Sequence, residues 1–133
     1  MPTLKMTSYR FDHYQLPVIT LKIGGVNHNF IVDTGAMETA LSLRLASQFL
    51  TPEQHRTRVE RYMSGVGGRS KAFAAHIKCT FIGVSILHTT FVDIVSVFNS
   101  FPIPISGLIG QDVLQKFASV EFDFKEKVIR FKP

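Results

Sequence analysis

Two runs of the chain, Leu16-Pro17-Val18-Ile19-Thr20-Leu21-Lys22-Ile23 and His28-Asn29-Phe30-Ile31-Val32, are rich in β-formers and flank Gly24-Gly25-Val26-Asn27. That pattern is a β-hairpin. Its second strand runs through Phe30-Ile31-Val32 directly into Asp33-Thr34-Gly35-Ala36, so the hairpin delivers one carboxylate onto a tight turn beside an apolar strand. Such a carboxylate costs free energy unless it is hydrogen-bonded, shares a proton or does chemistry. Taken alone, the Asp-Thr-Gly triplet is an ordinary turn, in which Asp bonds back to the backbone and Gly supplies positive φ. Two glycine motifs downstream, Gly65-Val66-Gly67-Gly68 and Gly107-Leu108-Ile109-Gly110, give it a definite context.

The remaining pattern is mostly β with two or three short helices. Leu41, Leu45 and Phe49, with Ala40 and Ala46 beside them, predict an amphipathic helix over 39–50, and Thr51-Pro52-Glu53-Gln54 is a helix-start signal. Extended residues 59–63 and 71–82 flank the first glycine cluster and predict a long hairpin with a glycine tip. Residues 85–97 are rich in β-branched side chains, and an irregular apolar stretch over 98–105 has prolines that oppose regular ladder pairing. A short helix is predicted over 111–117, and strands over 119–124 and 127–131 form a terminal hairpin turning at Lys125-Glu126. Residues 1–15 read as an N-terminal extension to a single domain over 16–133.

Composition limits the function classes. Hydrophobic residues make up 45% and charged residues 19% of 133, which excludes a disordered chain and leaves little charge for a lone monomer. Cys79 is the single cysteine, so no intramolecular disulfide framework exists. No zinc-ligand spacing joins His13, His28, His55, His76 and His88, and neither metal nor cofactor is expected. The net charge of +5 is densest over 55–61, where Glu60 interrupts the basic residues and no aromatics interleave. That segment reads as a solvated face rather than a nucleic-acid surface. With no apolar signal segment near Met1 and no run of about 20 apolar residues, the expectation is a cytoplasmic protein without membrane partners, or a piece of a longer precursor.

The order of Asp33-Thr34-Gly35-Ala36, the Gly65–Gly68 cluster and Gly107-Leu108-Ile109-Gly110 with its following helix resembles the retropepsin-like aspartic proteases, over nearly all of 16–131. The resemblance implies a closed β-barrel and an aspartic endopeptidase acting on peptides or proteins. Peptide hydrolysis there needs two carboxylates sharing a proton, because like charges about 3 Å apart cannot both ionise. This chain holds one Asp-[Ser/Thr]-Gly, so the resemblance implies a homodimer with Asp33 contributed by each subunit. It further implies that Thr34, Gly35 and Ala36 support the site, Gly65, Val66, Gly67 and Gly68 form a substrate-covering flap, and Ile103, Ile105, Leu108, Ile109 and Gly110 wall the pockets. Met37 and Gln111 stand where retroviral members carry an acidic residue and an arginine, and Asp112 gives the Gly-x-Asp pattern of cellular and bacterial relatives. The main alternative keeps the fold without activity, as a binding or dimerisation module.

Overall fold

The computed structural model describes residues 3–11, 14–65, 68–81, 84–93 and 103–133. Strand β3 (Tyr14–Ile23) turns through Gly24 and Gly25 into β4 (Val26–Val32), pairing Val18 with Ile31 and Ile19 with Phe30. Both glycines have positive φ, +59° and +81°, the combination that a two-residue hairpin turn matched to strand twist demands. On its other edge β4 pairs in parallel with β9 (Gly107–Ile109), so the apolar run is covered on both faces: Phe30 and Val32 enter the main core, and Ile31 a second cluster with Val18, Ala40, Ile105 and Leu108. Burial on both faces explains why Phe30-Ile31-Val32 does not alternate with polar residues.

The strand β5 (Ala40–Ser42) and helix α1 (Leu43–Ala46) replace the single helix predicted over 39–50. Ala40 pairs with Leu108 of β9 and with Phe91 of β8 (Val84–Asp93), and the sheet takes these residues before the helix can begin. Leu41, Leu45 and Ala46 all reach the main core, so the apolar spacing was satisfied by a strand and a helical turn together. Ser42 caps α1 by accepting from the Leu45 N–H at 3.3 Å. Helix α2 (Pro52–Arg56) begins at Thr51 with a full capping box to Gln54, as its start signal implies. The third helix, α3 (Gln111–Leu114), covers the first half of the predicted segment.

Strands β6 (Glu60–Gly65) and β7 (Gly68–Phe81) form the long hairpin, closing with Gly65 opposite Gly68. Residues 56–62 are exposed. Of the residues 85–97 read as β-rich, 94–97 lie outside the described residues, as do 98–102 of the apolar stretch. At the other end, β10 (Ser119–Asp123) and β11 (Val128–Lys132) make the terminal hairpin, and β1 (Thr3–Lys5) adds to the free edge of β11. Between them β2 (Thr7–Phe11) pairs with β3, and Met6 is buried in the main core.

The chain is therefore mostly β with short helices, but the expected closed barrel is not found among the described residues. A three-stranded sheet has the order β1-β11-β10, and an eight-stranded sheet runs β2-β3-β4-β9-β5-β8-β7-β6, with β2 and β6 at its edges. Along β7, β6 pairs with 68–73 and β8 with 72–81, so the β6–β7 hairpin runs past the described end of β8, and no described pairing joins β6 to β2. No described helix is long and apolar enough to cross a membrane.

The terminal hairpin is fixed by charge. Asp123 Oδ1 accepts from the N–H groups of Glu126 at 2.8 Å and Lys125 at 3.1 Å, while Arg130 donates to Asp123 Oδ2 at 3.1 Å and also pairs with Glu121. The Glu126 N–H first, then Arg130, hold the Asp123 carboxyl below the usual carboxylate range. A depressed folded pKa stabilises above the unfolded value of about 3.9 and is lost as pH falls through the lowered one. The thermal midpoint of wild type is expected to exceed that of Asp123→Asn by a constant margin above about pH 5, shrinking on acidification below about pH 4. A margin independent of pH would contradict this.

Candidate active site

Asp33 leaves the sheet where β4 ends. Its N–H donates to the Ile109 carbonyl at 2.9 Å, continuing the β4–β9 ladder by one residue, and its carbonyl accepts from the Ala36 N–H at 3.2 Å to close a turn. The side chain folds back in an Asx arrangement, with Oδ1 accepting from the Gly35 N–H at 3.0 Å. A Cβ on Gly35 would lie 3.3 Å from that same oxygen, so glycine leaves the carboxylate room. Asp33 is half-buried, and Thr34 and Gly35 are exposed. The main core lies directly behind.

A cavity of about 300 Å³ opens on Asp33 and Thr34, walled by Leu16, Pro17, Val32, Phe122 and Phe124. The Phe122 and Phe124 rings stack at 6.2 Å, and Phe124 is 67% exposed, an unusual setting for so large an apolar side chain. Neither Phe122 nor Phe124 stands out in the sequence as a neighbour of Asp33, because β10 and the turn after it lie some 90 residues from the triplet and only the tertiary fold joins them. The cavity's Leu16 packs against the second cluster, which holds residues read in the sequence as pocket walls. Ile105 and Leu108 pack in the second cluster, with half-buried Ile103 and Ala36 against it, and Ile109 is fully buried in the main core. Gly65 and Gly68 close the β6–β7 hairpin, and Val66 and Gly67 lie outside the described residues.

Gly110 holds the Asp33 loop from beneath. A Cβ there would stand 2.8 Å from the backbone of both Ala36 and Glu38, so only glycine lets the two segments approach. The start of α3 then hydrogen-bonds along the loop: Gln111 N–H to the Ala36 carbonyl at 2.8 Å, Asp112 N–H to Met37 at 3.1 Å, and Gln111 Nε2 to the Thr34 carbonyl at 2.7 Å. Beyond it, Asp112 takes hold of Thr39. Asp112 Oδ1 accepts from Thr39 Oγ1 at 2.6 Å, and both carboxylate oxygens accept from the Thr39 N–H at 3.0 Å. Thr39 Oγ1 in turn accepts from the Gly110 N–H at 3.0 Å. The Gly-x-Asp pattern marks Asp112 in the sequence, but nothing there points to its contact with Thr39. Among the described residues no group of three or more His, Cys, Asp or Glu side chains is placed to hold a metal ion.

A mostly β chain that sets an Asp-Thr-Gly loop on a buried Leu-Ile-Gly strand has the layout of a retropepsin-like aspartyl protease. Residues 19–116, about three quarters of the chain, match the family described as "gag-polyprotein putative aspartyl protease", and the chain belongs to that family. A comparison with curated proteins gives no match.

Proposed function

We propose that the protein is an aspartic endopeptidase that hydrolyses peptide bonds at a dyad of two Asp33 carboxylates, one from each subunit of a homodimer. The observation that carries this reading is the setting of Asp33, half-buried over an apolar core, with Oδ1 fixed on Gly35 and the carboxylate facing a cavity. Two such groups sharing one proton divide the chemistry. The ionised carboxylate takes a proton from the attacking water, and the protonated one donates to the substrate carbonyl oxygen.

One chain supplies half of this. The exposed Phe124, stacked on Phe122 at the rim of the Asp33 cavity, and the outer edge of β10, with no ladder partner among the described strands, supply a face on which a second copy can close. A two-fold axis beside Thr34 would bring the two Asp33 loops together. In the same reading the β6–β7 hairpin covers the substrate, and its glycine end permits opening. Hydrolysis of a peptide library by wild type and by Asp33→Asn tests the proposal.

A further inference from the structure

We infer that Asp112 is a positioning residue for Asp33, acting through Thr39, an assignment that rests on the aspartic protease reading. Little packing holds the Asp33 loop: Thr34, Gly35, Met37 and Glu38 are exposed, Met37 by 82%. Its entry is fixed by the Asp33 N–H on Ile109, its middle by the Gln111 and Asp112 N–H groups on the Ala36 and Met37 carbonyls, and its exit by Thr39. Thr39 is fully buried although its side chain is polar. A buried hydroxyl is tolerable only when bonded. Here it donates to Asp112 and accepts from Gly110, so both of its capacities are used in joining the loop to the β9–α3 junction.

Asp112 is more than a local cap of α3. Its Oδ1 accepts from the Val113 N–H at 2.8 Å, but the same carboxylate also reaches 73 residues back, to Thr39. Bonds to an ionised acceptor are about twice as strong as neutral ones. The Asp112–Thr39 contact holds the exit of the loop while Gln111 Nε2 fastens the Thr34 carbonyl. With the exit fixed at Thr39 and the entry at Ile109, the span that presents the Asp33 carboxylate has both ends anchored to one rigid strand–helix unit.

Full-length Asp112→Ala and Thr39→Val are expected to lower kcat for peptide hydrolysis by about 10²-fold with KM little changed, the cost of a small misplacement of reacting groups. The double variant should be no worse than either, because both changes remove one contact. Asp112→Asn restores most of kcat, since its amide oxygen can occupy the Oδ1 position, and Thr39→Ser does the same by keeping the hydroxyl. Amide hydrogen exchange over 33–39 is a readout independent of cleavage, and Asp112→Ala should accelerate it at Asp33 and Gly35 as well as at Thr39. Wild-type kcat in folded Asp112→Ala, or acceleration confined to Thr39 and Val113, overturns the positioning role. If Asp33→Asn abolishes cleavage while Asp112→Ala does not, only the positioning role fails; cleavage unaffected by Asp33→Asn removes the aspartic reading itself.

Discussion

Asp33→Asn is expected to lower peptide hydrolysis by more than about 10³-fold while leaving the fold intact. In the proposed mechanism the loss is large because the substitution removes the group that exchanges protons with water and substrate, and a neutral amide can do neither at working pH. The fold survives because the structural use of the side chain is slight. Oδ1 accepts one hydrogen bond, from Gly35, which an asparagine oxygen can accept as well. The residue is half-exposed, so no buried charge is stranded by the change. Activity and thermal midpoint measured on the same preparation separate the two effects. Unchanged cleavage would eliminate Asp33 as the catalytic group, and lost cleavage with a collapsed midpoint would show that the carboxylate serves the fold.

The largest effect on stability is expected from Gly107→Ala, which should cost about 3 kcal/mol. Gly107 opens β9 between β4 and β5, opposite Phe30 and Leu41, and all three residues of that strand are buried. A Cβ added there would lie 2.4 Å from the Ala40 carbonyl oxygen and 3.2 Å from Leu41 Cα. Both obstacles are backbone atoms within a paired ladder, and neither can swing aside as a side chain could. Relief requires β5 and β9 to separate, which loosens the strand whose Ile109 carbonyl anchors Asp33. Gly25→Ala is the control: its φ of +81° strains any other residue, but nothing lies within 4 Å of the new Cβ, so about 1 kcal/mol is lost. Urea unfolding of both variants compares them, and equal losses would contradict the close approach at Gly107.

How much of this was legible beforehand depended on how local each determinant is. The β3–β4 hairpin, the β6–β7 hairpin and the β10–β11 hairpin all lie in continuous sequence with their turn residues between them, and each is found where the pattern placed it. The stretch 39–50 misled because Leu41 and Leu45 satisfy a helical spacing, yet Ala40 and Leu41 are claimed by β9 and β8, partners remote in sequence. The order of the eight described strands in the larger sheet was likewise invisible, because β9 and β5 join β4 to β8 through partners remote in sequence. At the site, Asp33 and Gly110 were readable from short motifs whose geometry leaves little freedom. The Phe122–Phe124 wall and the Thr39–Asp112 contact were not, because they join segments about 70 to 90 residues apart through folded space.

The shared dyad is tested most directly by mixing subunits. On the proposed reading, wild type and Asp33→Asn refolded together in equal amounts at constant total protein should form dimers at random, and only those with two intact carboxylates should cleave. Activity should then fall to about one quarter of the all-wild-type sample, following the square of the wild-type fraction. Activity of about one half, linear in that fraction, would mean that each chain works alone and would contradict an active site assembled from two Asp33 residues.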